Sequence, residues 1–307
     1  MKRSGVTNYL LLLGIGIIWG SQFYFNNQAM KVAPPLTIAA ARALIGCLTL
    51  TVLAWFVPEQ SPGTPGKGKN SWAAWPLYLS IALLEAVLPL FLVVWGQQRV
   101  SSSVAAVLTG TVPFFTILLS ALFIKGKGFD VNSTLSVLLG FLGVVALVAP
   151  GMQGNWLDNV AGDLAILTAA ASFAGSLILL HKIPHGAPIR SMRNILLLAS
   201  APLLVLSLTL DAPWSLHWTL SDIASLLILG IFCSGLVYML YTILIHRAGS
   251  VFTSLTNYLV PLVGVLLGVV FLAEPFTVYN GLALVLIAMA LGIGELRTLS
   301  KSVMGLR

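Results

Sequence analysis

Apolar positions along this chain fall into long, nearly unbroken runs, and the runs are separated by short clusters of Gly, Pro and charge. A helix needs about 20 residues to cross roughly 30 Å of hydrocarbon. The chain divides into ten runs near that length: 8–30, 35–57, 74–97, 101–124, 132–149, 161–182, 191–210, 221–246, 250–273 and 277–296. The predicted fold is all-α, a polytopic membrane protein with ten transmembrane helices. The longest remaining piece, 58–71 (PEQSPGTPGKGKNS), is rich in Pro, Gly and Lys and reads as a surface loop. Lys2 and Arg3 precede the first run as in a signal peptide, but the run continues through Trp19-Gly20-Ser21-Gln22 with no small-x-small cleavage site, so it reads as a retained span.

Composition agrees with this pattern. Hydrophobic residues make up 58% of the 307 positions and charged residues 8%, whereas a soluble domain carries about a quarter charged residues. The net charge of +7 does not indicate nucleic acid, because the basic residues sit at the ends of apolar runs and form no stripe interleaved with aromatics. They act as topology signals. With both termini in the cytoplasm, thirteen Lys and Arg residues fall inside and only Lys31 and Arg99 outside, with Arg42 within a span. Cys47 and Cys233 lie inside apolar runs and read as packing residues.

Shifting the sequence on itself by 148 residues superposes Arg99 on Arg247, Thr109 on Asn257, Pro113 on Pro261 and Phe123 on Phe271. The fourth and ninth spans are thus counterparts. They lie five spans apart, and an odd separation makes the two halves cross the membrane in opposite senses. The expectation is two inverted five-helix repeats, 8–150 and 151–297, with a cytoplasmic tail at 298–307.

Several residue groups resemble a known family: Trp19-Gly20-Ser21; Pro35-Leu36-Thr37 leading to Arg42; Ser102 to Pro113; Arg247 to Pro261; then Leu272-Ala273-Glu274-Pro275 and Gly281. In their order and spacing the chain resembles a ten-helix EamA-like member of the drug/metabolite transporter superfamily. One departure is evident. The family often carries an acidic residue after the fourth span, where this chain reads Lys125-Gly126-Lys127-Gly128, while the second half keeps Glu274.

Polar groups inside a bilayer need a partner or an aqueous cavity, since a central charge costs about 2.5–3.5 kcal/mol on insertion scales. Glu85 lies about 11 residues, roughly 16 Å, into the third span. Two readings are open for it: a proton-exchanging carboxyl in a cavity, or a fixed ion pair with Arg42 as a structural charge. Trp19, Gln22 and Asn26 share one stripe of the first span, which either faces a cavity or makes interhelical hydrogen bonds. Pro113 and Pro261 each leave the carbonyl four residues earlier without its amide partner, and those carbonyls belong to Thr109 and Asn257. This predicts helix breaks there, either as structural kinks or as a polar receptor near the midplane. Tyr238 and Tyr241 stack on a substrate or belong to an interfacial belt. Ser172 and Ser176 read as close-packing residues, as do Gly16/Gly20 and Gly264/Gly268. Glu274-Pro275 reads as helix punctuation.

No P-loop or H-E-x-x-H motif is present, and His181 and His185 flank Pro184 in a predicted loop, so no cofactor or metal is expected. The resemblance implies a secondary carrier, an exporter of small metabolites with amino acids or their derivatives as best guess, working by alternating access with possible proton exchange. The candidate mechanism is rocking of the five-helix units about a cavity bounded by the first, third, fourth, sixth, eighth and ninth spans. The substrate site would comprise Trp19, Gln22, Asn26, Glu85, Thr109, Asn257, Tyr238 and Tyr241. An intramembrane enzyme acting on a lipid or small molecule is the alternative. Expected partners are a small-molecule substrate and the bilayer of a plasma or bacterial inner membrane, with no nucleic acid and the chain a monomer or weak dimer.

Overall fold

A computed structural model describes residues 2–57, 75–123, 156–180, 182–183, 187–254 and 256–286, with isolated positions at 135, 138–139, 142–143 and 288–289. The 58–71 loop, most of the fifth span, the end of the tenth, Lys125 to Gly128, His181, His185 and the 298–307 tail lie outside the described residues.

Among the described residues the long helices are α1 (Lys2–Ala29), α2 (Pro35–Phe56), α3 (Trp75–Gln97), α4 (Ser102–Thr109 continuing as Val112–Phe123), α5 (Trp156–Leu180), α6 (Pro188–Asp211), α7 (Leu220–Gly249) and α8 (Thr256–Leu272), and 278–286 is also helical. Seven of them contain a stretch long and apolar enough to cross a membrane, and Leu259–Leu272 in α8 is a shorter apolar helix. The eight long helices correspond to the first four and the sixth to ninth predicted spans, and 278–286 to the start of the tenth. Outward-facing positions are apolar, among them Leu10, Ile17, Trp55, Leu79, Leu197 and Leu266, as a lipid-facing surface requires. Many polar residues point inward, among them Gln22, Asn26, Arg42, Glu85, Thr109 and Asn257.

The helix starts follow from local chemistry. Pro35 and Pro188 stand at first helical positions, where a missing N–H costs nothing. Thr219 and Asp222 form a capping box on α7. Asp211 reaches from α6 to the first turn of α2, accepting from the Thr37 amide at 2.8 Å and the Thr37 hydroxyl at 2.9 Å. Gly249 adopts φ 84°, a left-handed value suited to glycine, and turns the chain from α7 toward α8.

Alternation of direction in the sequence predicts that α2, α4 and α7 all start on the face opposite the start of α1. Each of the three is capped there by an acid: Asp211, Glu274 and Asp222 respectively. Carboxylates at helix N-termini satisfy free amides and complement the helix dipole. On the other face, Arg247 at the end of α7 donates to Asn8 at the start of α1, at 3.1 Å.

Two six-residue π-helical segments interrupt the long helices, Ala82–Val87 in α3 and Ile231–Leu236 in α7. They stand 149 residues apart, within one residue of the repeat offset. The third and eighth spans therefore share a backbone irregularity as well as a place in the repeat, and π segments of this kind commonly mark functional positions.

The inversion is visible in side-chain contacts. Ser102 and Ser103 of α4 meet Glu274 just beyond the end of α8, Ala106 meets Gly264, and Gly110 meets Pro261. As the numbers rise in one helix they fall in the other, so the counterpart helices run antiparallel. The most extensive packing also crosses between halves: α1 on α8, α2 on α6, α3 on α5 and α4 on α8. Among the described helices the two halves of the chain are therefore interlaced rather than separate lobes. Any rocking would have to be of bundles drawing helices from both.

Candidate functional site

Proline chemistry shapes the centre of the molecule. At Pro113 the expected break occurs: α4 stops at Thr109, turns through Gly110 and Thr111, and resumes at Val112. At Pro261 the expectation is corrected, because α8 continues as helix through the proline. The Pro261 ring lies over Gly110, where any Cβ would collide with it, and the Asn257 carbonyl oxygen would be 3.3 Å from the same Cβ. One helix breaks and the other stays whole against the break.

Beside this crossing is a small cavity lined by Trp19, Gln22, Thr109, Phe173, Tyr241, Asn257 and Val260. It draws on α1, α4, α5, α7 and α8. The repeat-equivalent residues Thr109 and Asn257 both reach it. The Asn257 side chain is a hydrogen-bond partner of the Tyr241 hydroxyl, and the Thr109 hydroxyl donates back to the Ala105 carbonyl at 2.8 Å.

Aromatic rings form the wall behind. Trp19 makes edge contacts with Tyr241 (centroids 4.6 Å apart, planes at 61°) and Tyr238 (5.8 Å, 76°), and a tilted contact with Phe173 at 6.3 Å. Both tyrosines are buried, so neither belongs to an interfacial belt. Tyr241 borders the cavity. Tyr238 sits one layer deeper, and its hydroxyl donates to the Glu85 carbonyl at 3.0 Å.

Glu85 lies in the π segment of α3 and is 0% exposed. Its Oε2 accepts from the Ser176 hydroxyl, and its Oε1 has no hydrogen-bond partner. The Ser172 hydroxyl donates to the Leu84 carbonyl at 2.9 Å. Ser172, Ser176 and Tyr238 thus take up polar groups around this segment, which sequence reasoning had treated as simple packing in the case of the serines. Glu85 does not pair with Arg42, and it stands behind the aromatic layer rather than in the cavity wall.

Arg42 is 1% exposed and instead organises a second cluster. Its Nη2 donates to Gln22 Oε1 at 2.9 Å, its Nη1 to Asn26 Oδ1 at 3.2 Å and its Nε to Ser234 Oγ at 3.4 Å. From Asn26 the chain of bonds continues to Gln97 Oε1 at 3.2 Å, and Gln97 Nε2 donates to the Ser102 hydroxyl at 2.9 Å and the Phe23 carbonyl at 2.6 Å. The Ser102 amide donates to Glu274 Oε1 at 2.7 Å. Asn26 is therefore held in interhelical bonds away from the cavity, and Gln22 belongs to both cluster and cavity.

Phe173 and Val260 were missed because an apolar residue in an apolar run carries no signal. Gln97 was missed because it sits at a span end, where sequence does not give depth.

Residues 6–149 and residues 160–293 each match the EamA-like transporter family. The transporter YvbV of Bacillus subtilis (strain 168) is 28% identical over 286 residues, covering 90% of this chain and 88% of its own. The inner membrane transporter YedA of Escherichia coli (strain K12) is 27% identical over 285 residues, covering 91% and 87%. A protein of known crystal structure superposes with a TM-score of 0.70 at 17% identity, over 95% of this chain and 97% of that one, which shows a shared fold. With two repeats matched across nearly its whole length, the chain belongs to the EamA-like transporter family and is a membrane transporter, not an enzyme.

Proposed function

We propose that this transporter is a secondary carrier that exports small polar or amphipathic metabolites, foremost amino acids or their derivatives, by alternating access coupled to proton exchange at Glu85. The observation that carries the reading is the meeting of Thr109 and Asn257 in one cavity. These are counterpart residues of inverted repeats, and a site built on the repeat interface can be offered to either side by exchanging two mirrored arrangements. In this arrangement the space between the lining residues is about the size of a water molecule, so cargo enters as the surrounding helices move apart. The rings of Trp19, Phe173 and Tyr241 favour an apolar side chain or an ammonium group, while Gln22, Thr109 and Asn257 offer amides and a hydroxyl. Glu85 supports proton coupling because it is an intramembrane carboxyl whose oxygens have one hydroxyl donor between them. The moving parts in this proposal are interhelical bundles drawn from 8–150 and 151–297. The name of YedA supports placement in a bacterial inner membrane, and the basic residues favour cytoplasmic termini.

The test is flux in proteoliposomes loaded with candidate amino acids under an imposed pH gradient. Wild-type protein is expected to drive flux against the gradient of solute, and Glu85→Gln to lose the dependence on pH while keeping solute exchange. Unchanged pH-driven flux in Glu85→Gln would remove Glu85 from coupling, and absence of flux for every small metabolite would remove the carrier reading.

A further inference from the structure

The guanidinium of Arg42 carries a full positive charge in the membrane interior, and its three acceptors, Gln22, Asn26 and Ser234, are all neutral. Buried charges are ordinarily paired, because neutral dipoles alone offset only part of the loss of water. Among the acids whose side chains are described, none supplies the pair. Glu85 accepts from Ser176, Asp211 from Thr37, Asp222 from Thr219 and Glu274 from Ser102 and Ser103. Asp163 in α5 has a buried oxygen with no partner and makes no bond to Arg42.

The donor count points the same way. A guanidinium has five N–H groups, and the three bonds of Arg42 use one on each nitrogen. One N–H remains on each terminal nitrogen, the pair of atoms with which arginine grips a planar oxyanion. Gln22 accepts from Nη2 at 2.9 Å and also lines the cavity, so one hydrogen bond links the guanidinium to the cavity wall and a rotation of that amide would release Nη2.

We propose that Arg42 is the anion-binding residue of this carrier, that its cargo bears a carboxylate, and that Gln22 and Asn26 hold the guanidinium in the absence of cargo. A carboxylate fits better than a phosphate, because none of the residues lining the cavity is a second cation to balance a further charge. This rests on the central cavity being the transport site. It assigns Arg42 a recognition role in place of a purely structural one, and it makes the carboxylate half of the substrate the part that is selected.

The experiment is thermal unfolding of the full-length detergent-solubilised protein with matched probes: L-leucine and L-leucinamide, L-phenylalanine and L-phenylalaninamide, hydrocinnamate and hydrocinnamide. At least one carboxylate is expected to raise the melting temperature while its amide does not. Arg42→Gln should abolish that shift, and Arg42→Lys, which keeps the charge but loses the fork, should weaken binding about tenfold. Equal stabilisation by acid and amide, no stabilisation of the wild type by any carboxylate tested, or an unchanged affinity in Arg42→Lys would overturn the proposal. The lysine variant and the acid–amide comparison decide the matter even where Arg42→Gln fails to fold. Carboxylate binding through Arg42 without vesicle flux would count against the carrier reading alone. Flux of a neutral solute untouched by Arg42→Lys would count against the anion site alone.

Discussion

Glu274, just past the end of α8, accepts hydrogen bonds from both the amide and the hydroxyl of Ser103 in the first turn of α4, at 2.9 Å and 2.5 Å. Its other oxygen takes the Ser102 amide at 2.7 Å. A residue of the second repeat thus caps a helix of the first, and the cap joins the bond network that runs back to Arg42. The counterpart position one repeat earlier is Gly126, within Lys125-Gly126-Lys127-Gly128, so the sequence provides no carboxylate for the mirrored cap. The two ends of the α4–α8 pair are chemically unequal.

Removing this cap has a defined consequence. Glu274→Ala leaves two helix-terminal amides and a hydroxyl without their acceptor, and losses of an N-cap cost about 0.5–2 kcal/mol. We expect the variant to melt earlier in detergent and Glu274→Gln, which keeps one acceptor oxygen, to lose less. Ser103→Ala removes the hydroxyl bond alone and should fall between Glu274→Gln and wild type. Equal melting temperatures for Glu274→Ala and wild type would contradict the capping role.

The glycines of the α1–α8–α4 stack are predicted to differ sharply in tolerance. A Cβ on Gly264 would collide with the Ala106 Cβ, which has no rotamer by which to move aside. A Cβ on Gly268 would lie 2.5 Å from Glu274 Oε2 and 2.6 Å from Ser103 Oγ, which would break the cap. Overpacking of this sort costs about 1–3 kcal/mol, so Gly264→Ala and Gly268→Ala should lower the melting temperature or the folded yield. Gly14, with nothing within 4 Å of a built Cβ, is the control, and Gly14→Ala should melt at or above wild type.

How much of this was readable beforehand depends on what each residue had to explain. Trp19, Gln22, Thr109, Tyr241 and Asn257 stand out in apolar runs, and all five line the cavity. Glycine spacing indicated close packing at Gly16/Gly20 and Gly264/Gly268 without its partners, and the proline rule indicated the break before Pro113 but not that α8 would stay whole against Gly110. The partner of Arg42 was not readable: depth alone allowed Glu85, whereas geometry turns Arg42 to Gln22, Asn26 and Ser234. The π segments were invisible too, because an inserted backbone residue leaves no mark in a run that is apolar on every face. Glu274 looked like punctuation because its partners lie 171 and 172 residues away.

The π segment of α3 should depend on its side-chain partners. Tyr238→Phe removes the donor to the Glu85 carbonyl and Ser172→Ala the donor to the Leu84 carbonyl. Interhelical hydrogen bonds in membrane proteins contribute about 0.6 kcal/mol on average and up to about 1.7. Each variant is expected to lose stability within that range, and the double variant to lose more than either. If Tyr238→Phe and Ser172→Ala both melt like wild type, the segment is held by packing alone.

Cavity residues should separate binding from stability. Asn257→Ala removes an amide from the wall and from the Tyr241 hydroxyl, yet leaves the Gly110–Pro261 crossing intact, because its carbonyl belongs to the backbone. Removal of one neutral hydrogen bond is worth about 0.5–1.5 kcal/mol, which corresponds to a rise of up to about tenfold in the KM of vesicle exchange with little change in melting temperature. Trp19→Ala is different in kind, since it strips the ring that Tyr238, Tyr241 and Phe173 all touch. It should lower stability by about 3–5 kcal/mol and lose exchange altogether, while Trp19→Phe keeps part of the aromatic wall and recovers most of the stability but not the affinity. A KM unchanged in both Asn257→Ala and Trp19→Phe would mean that the solute passes by another route, since no cargo held between α1, α4, α5, α7 and α8 could avoid these two side chains.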